Sequence, residues 1–196
     1  MTENTAPARP EALEFLLTRR SRPARMLRAP APDGDTLARL LTAATRVPDH
    51  GKLEPWRFLV IEPAALQRLG AWVAEHGTAL GMEAEKVAKD AQTFAGSPLV
   101  VAVVSSPKPS EKIPQIEQTL SAGAVCLSLV NAALAQGFGA CWLTGWPAFD
   151  RRFLTGELGL AAHESIAGFI HIGSSDAAPP ERPRPDVAAL VTRLDA

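Results

Sequence analysis

Residues 115–136, QIEQTLSAGAVCLSLVNAALAQ, followed by Gly137-Phe138-Gly139, form the stretch on which the fold turns. Ile116, Leu120, Val125, Leu127, Leu129, Val130 and Leu134 leave little polar surface around a helical wheel, and Gly137 can supply a left-handed cap. At ~1.5 Å per residue the helix is roughly 33 Å long, the width of a small domain. Ser121, Ser128 and Asn131 interrupt a run shorter than a bilayer span requires, so it reads as a buried helix and not a membrane anchor. In a chain of 196 residues so apolar a helix is hard to cover with the chain's own elements, which predicts a central helix buried in a dimer.

Outward from this helix, short β-branched runs mark strands. Residues 56–61 lie between Pro55 and Pro63, residues 98–104 read as a strand buried on both faces, and residues 140–144 and 166–172 supply two more. Helices are expected around Ala12, Leu13, Leu16 and Leu17 after Pro10, and around Leu37, Leu40, Leu41 and Ala44, with Asp35 and Thr36 as caps. Others are expected over 64–75, 83–94 and 147–154. The first ends by delivering Arg19 and Arg20, the second by delivering Arg46, Asp49 and His50. The loop 105–114, with three prolines, is expected to be exposed, and the prolines of 179–185 turn the last residues, 187–194, into an arm reaching a sheet edge. The order of elements predicts an α+β fold: a central mixed β-sheet flanked by helices, a long buried central helix and an extended C-terminal arm. It forms one domain over 11–196, with a flexible N-terminus at 1–10.

Composition narrows the function. A hydrophobic share of 46% with 21% charged residues is that of a globular chain, which excludes a disordered tail. Twenty Lys and Arg against twenty-one Asp and Glu leave a net charge of −1, so no global field draws nucleic acid or a membrane surface. The first ten residues lack the basic start and apolar run of a secretory signal. Cys126 and Cys141, both in apolar surroundings, read as buried thiols, and together these features predict a cytoplasmic protein. There is no Walker loop, Gly-x-Ser-x-Gly elbow, metal-binding helix or histidine cluster, so no metal site is expected. Gly137-Phe138-Gly139 starts like a dinucleotide fingerprint, but Trp142 replaces its third glycine and a strand follows.

Five segments occur in order: Arg19-Arg20-Ser21; Arg46-Val47-Pro48-Asp49-His50; Pro55-Trp56-Arg57-Phe58; Gly137-Phe138-Gly139 with Trp142-Leu143-Thr144-Gly145; and Gly168-Phe169-Ile170-His171-Ile172-Gly173. This pattern resembles the nitroreductase family, in its compact branch with a Pro-Asp-His loop, over nearly all of 11–191. The resemblance implies FMN as cofactor, NAD(P)H as electron donor and a homodimer with shared FMN sites. By it, Arg19 and Ser21 hold the FMN phosphate together with Arg184, which matches a basic residue of the family's arm. Arg20 lies near the ring or ribityl chain, Arg46 and His50 reach the flavin of the other subunit, and Trp142, Leu143 and Thr144 pass close to the cofactor. The implied reaction is ping-pong: hydride passes from NAD(P)H to flavin and electrons go on to a small acceptor such as a nitroaromatic or quinone. The flavin carries the chemistry, so no side chain is assigned a catalytic role. Residues 51–54 and 113–118 are expected to border the substrate pocket.

Taken singly, these residues have plainer readings. Arg19 and Arg20 suit a helix C-terminus, His50 a turn, Trp142 a core and Lys52 a solvated surface. Two further hypotheses stand beside the reductase: other flavin chemistry on the same fold, namely dehydrogenation, dehalogenation or flavin breakdown, and a non-catalytic dimeric binding module.

Overall fold

A computed structural model of the protein describes residues 7–177 and 179–194. Six of the expected N-terminal residues, 1–6, therefore lie outside the described residues, and helix α1, Pro10–Thr18, begins one residue before the expected domain boundary. Helix α2 is Gly34–Ala44, and its cap is neither Asp35 nor Thr36. Asp33 accepts from the Thr36 N–H at 2.8 Å, the usual service of an Asp immediately before the first helical residue. Strand β1, Trp56–Ile61, has the expected bounds, and two helices follow it: α3, Pro63–Ala79, and α4, Ala84–Ala95. Strand β2, Val100–Ser105, precedes α5, Gln115–Ala135. Then come β3, Gly139–Leu143, β4, Ser165–Gly173, and a single turn, α6, Val187–Leu190.

Among the described residues the four strands form one sheet in the order β1-β2-β4-β3, with every neighbouring pair antiparallel. The α+β class holds, but the mixed sheet does not. Two helices separate β1 from β2, so the chain returns to the end where β1 finished and β2 runs back along it. The single helix between β2 and β3 does give these two strands one direction, but β4 inserts between them.

β2 is buried throughout and splits its residues between two cores. Val100, Ala102 and Val104 meet Leu66, Leu69, Val73 and Phe94 of α3 and α4, whereas Val101 and Val103 meet Val125, Leu129 and Ala133 of α5 with Leu40 and Ala44 of α2. On β4 the alternation slips: Ile166 and Phe169 share the first core although an odd number of residues apart. A bulge lies between them, where Val103 pairs with Gly168 and Val104 with Ile166, leaving Ala167 unpaired.

Three expectations are corrected in detail. Helix 147–154 is replaced by a tight turn, Trp146–Phe149, and a wide helical turn, Phe153–Glu157. Gly145 (φ 70) and Pro147 set the first, and the Asp150 carboxylate starts a second segment by accepting from the Arg152 and Phe153 N–H groups. The loop expected to be exposed is so only in part, since Ser105, Ser106 and Ile113 are buried. The residues expected to reach a sheet edge instead carry α6, capped by Asp186 to the Ala188 N–H at 3.0 Å, and Val187, Leu190 and Val191 stay exposed.

α5 is apolar and long enough by composition to cross a bilayer, and its packing accounts for that composition on one side only. Val125, Cys126, Leu129, Val130 and Ala133 are buried on the sheet, while Ile116, Leu120 and Leu127 stand open, Leu120 at 66% exposure. Gly137 (φ 88) ends it as expected, with Gly137 and Phe138 donating to Leu134 and Ala133 carbonyls.

Candidate cofactor site

α1 closes with the Arg19 N–H on the Phe15 carbonyl, after which Arg19 turns extended (φ −56, ψ 139) and the helix stops. The chain then crosses to the outer edge of β3, where the Arg22 N–H donates to the Ala140 carbonyl at 2.8 Å. Further on, Arg28 and Ser174 exchange backbone hydrogen bonds of 3.0 and 2.8 Å. These pairings hold Arg19, Arg20 and Ser21 beside the edge strand, opposite the proline-rich arm.

A cleft of ≈ 450 Å³ opens there, lined by Arg19, Arg20, Ser21, Cys141, Leu143 and the arm as far as Arg184. Arg19 donates from Nη2 to Ser21 Oγ at 2.9 Å. Glu181 takes Arg20 Nη1 at 3.0 Å on one oxygen and Arg184 Nη2 at 2.8 Å on the other. No carboxylate pairs with Arg19 among the described residues, and its Nε is buried without a partner. Its protonation is disfavoured first by burial and then by the charges of Arg184 and Arg20. With Arg182, four guanidinium groups line the cleft against the one carboxylate of Glu181, an excess of about three positive charges beside an unsatisfied buried donor, and this combination suits an anion. A phosphate monoester, close to −2 at neutral pH and rich in acceptor oxygens, has the right charge and chemistry.

Around the end of β3 lies a second cavity of ≈ 380 Å³, reached past Leu143 and lined by Trp142, Thr144, Lys89, Phe94 and His171. Trp142 is 40% exposed and anchored, not merely packed. Its indole donates to the bulged Ala167 carbonyl at 3.1 Å and lies over Gly168, where a Cβ would meet Nε1 at 2.1 Å. Only glycine permits this approach. His171 is buried, which pushes its pKa down to about 4 and keeps the ring neutral. Ser97 has one hydroxyl proton and gives it to the Thr93 carbonyl at 2.8 Å, so His171 Nδ1 donates to Ser97 Oγ at 2.7 Å. Cys141 and Cys126 are also buried, their thiols pushed up to about 11 and about 12, and remain unionised as expected.

The structure thus gathers Arg19, Arg20, Ser21, Leu143 and Arg184 in one cleft and sets Trp142 and Thr144 in the second cavity, which shares Leu143 with it. Arg46 and His50 are not brought there. Arg46 is exposed just beyond α2, and His50 Nδ1 donates to Glu117 Oε2 of α5 at 2.7 Å. Within one chain these two residues line neither cavity. Glu181, Lys89 and His171 were not among the expected site residues. Glu181 sits in a charged, proline-rich stretch where only the fold reveals that it faces Arg20. Of the loops expected beside a pocket, Ile113 does touch Gly51, and Gln118 bonds both the N–H and the carbonyl of Lys108, at 2.8 and 2.9 Å.

Comparison with known proteins gives the family and the fold. The family model described as "Nitroreductase family" matches residues 16–174. A protein of Escherichia coli (strain K12) named "Putative NAD(P)H nitroreductase YdjA" is 34% identical over 164 residues, 84% of this chain and 88% of its own. The crystal structure of a nitroreductase-like family protein from Bacillus cereus superposes with a TM-score of 0.78 at 24% identity, covering 100% of both chains. That of a nitroreductase with bound FMN from Bacteroides fragilis gives 0.72 at 20% identity, covering 94% of this chain and 99% of its own. At these identities the two structures establish the shared fold. The family match over most of the chain and the E. coli relative together show that the protein belongs to the nitroreductase family.

Proposed function

We propose that the chain is an FMN-dependent oxidoreductase that accepts hydride from NAD(P)H and delivers electrons, by a ping-pong course, to a small acceptor such as a nitroaromatic or quinone. The observation that carries this reading is the cation excess of the cleft with the unpaired, buried Arg19 Nε. The FMN held by one structural neighbour and the NAD(P)H in the name of the E. coli relative support it.

In this reading Arg19, Ser21 and Arg184 hold the phosphate, and Arg20, braced by Glu181, lies nearer the ring or ribityl chain. Trp142, Leu143 and Thr144 wall the ring. FMN, when bound, supplies the hydride-accepting centre and the electron relay. The chain fixes the ring's position, offers cations to its electron-rich edge and limits access by water. Arg46 and His50 complete the site from the second subunit of a homodimer, which explains their distance from the cleft in one chain. The open apolar side of α5 at Ile116, Leu120 and Leu127, with Leu13, Leu16 and Leu17 on α1, fits burial between two copies. Two free buried cysteines suit the cytoplasm.

The test is an absorption spectrum of purified protein with FMN, then anaerobic titration with NADH and NADPH. The reading expects a bound flavin whose band near ~450 nm bleaches with at least one nucleotide. Protein that stays colourless in saturating FMN sinks it.

A further inference from the structure

The turn joining α2 to β1 is built with more constraint than a connection needs. Gly51 (φ 71), Lys52 (φ 54) and Glu54 (φ 48) all lie in the left-handed region, which residues bearing a Cβ avoid. Asp49 braces them from inside: Oδ1 accepts from the Leu53 N–H at 3.2 Å and Oδ2 from the Glu54 N–H at 2.9 Å. α5 and the segment before it brace the turn from outside. Ser121 Oγ donates to the Pro48 carbonyl at 2.6 Å, and the Ile113 side chain lies so close to Gly51 that a Cβ there would be 2.4 Å from Cδ1. His50 sits at the head of the turn with Nδ1 committed to Glu117. A carboxylate only accepts, so Nδ1 carries the proton, and Nε2 makes no hydrogen bond among the described residues. Unfavourable backbone persists where surrounding contacts over-determine it, and such places cluster at ligand clamps.

We propose that Asp49 is a positioning residue: by holding the turn in which Gly51, Lys52 and Glu54 are left-handed, it sets His50 against the flavin bound by a second copy of the chain. The inference rests on the reading that His50 completes a shared FMN site. Asp49 touches neither cofactor nor substrate and acts only through the turn.

The experiment is FMN titration, by flavin fluorescence, of the full-length protein and the variants Asp49→Ala, Asp49→Asn, His50→Ala and the double variant Asp49→Ala/His50→Ala, each with its melting temperature. Asp49→Ala is expected to weaken FMN binding about five- to tenfold, and Asp49→Asn less, because its amide oxygen still accepts one of the two bonds. In the His50→Ala background, Asp49→Ala should cause no further loss, a coupling that a general loss of stability does not produce. An undiminished loss in that background overturns the proposal, as does full affinity in Asp49→Ala. If Asp49→Ala does not fold, the same cycle is run with Asp49→Asn, and additive losses again overturn it. Wild-type protein without FMN affinity defeats the functional reading itself, whereas wild type that binds FMN and tolerates His50→Ala defeats only this inference.

Discussion

Arg57 and Arg19 bear the same guanidinium at the two outer edges of one sheet, and their surroundings give it opposite uses. Arg57, on β1, meets Glu164 through Nε and Nη2, both at 2.7 Å, and Glu164 also accepts from the Ala161 N–H at 2.9 Å. The hydrogen bonds to Glu164 raise the Arg57 pKa, and the Arg57 bonds hold the Glu164 carboxyl down at about 2. Arg19, beside β3, has Ser21 and two like charges, and an Nε with nothing to bind. A guanidinium whose donors are matched within the chain is structural. One kept short of acceptors while crowded by cations is suited, on the proposed reading, to an incoming anion.

The contrast breaks most visibly at the matched pair. Glu164→Ala should cost about 3 kcal/mol of folding stability, because it strands Arg57 and the Ala161 N–H, and should leave FMN affinity unchanged. Denaturant unfolding and flavin titration of the same sample check both halves. Arg19→Ala should do the reverse: FMN binding about tenfold weaker or more, with a melting point unchanged or raised by relief from Arg20 and Arg184. A flavin affinity that survives Arg19→Ala would make the two arginines alike and remove the distinction.

Acid sharpens the comparison. His171 stays neutral in the fold down to about pH 4 but takes a proton in the unfolded chain below about 6.5, so stability falls as pH drops through that window. Glu164 is the depressed-carboxylate case: its contribution is complete above about 4.5 and is lost as pH falls toward 2. Melting temperature against pH should show both declines, and Glu164→Gln should lessen only the lower, to which Asp33 and Asp150, also held below the usual carboxylate range by hydrogen bonds, contribute. The smallest effect is expected at Glu181, which is exposed and shared between Arg20 and Arg184. Glu181→Gln should tighten FMN binding no more than about threefold, and only at low ionic strength. Weaker binding would mean that Glu181's hold on the arm outweighs its competition with the phosphate.

The sequence carried some of this plainly. β1 has its expected bounds because Pro55 and Pro63 punctuate it, and α5 ends within one residue of its expected end because its apolar run meets a glycine able to take φ 88. Strand direction was hidden, since alternation shows which face a residue uses and says nothing of which strand is its neighbour. The bulge at Ala167 was hidden for a related reason: one skipped residue reverses the pattern without altering composition. In the site, Arg19, Arg20 and Ser21 could be read from an ordered motif, and Arg184 from resemblance. Glu181 could not be read at all, because a glutamate in a polar arm looks like any solvated charge until Arg20 is found 3.0 Å away. Arg46 and His50, expected at the site, stay apart from both cavities within one chain.

The anchoring of Trp142 has an optical consequence. The protein has no tyrosine, so its near-ultraviolet emission comes from four tryptophans alone. Among them Trp142 lines the second cavity, with its indole tethered to Ala167 and lying against Gly168. In the proposed reading, a flavin held beside Leu143 would accept excitation energy from it and quench its emission. On that reading Trp142 emission would gauge occupancy, and a side chain introduced at position 168 would detune the gauge by lifting the indole from its seat.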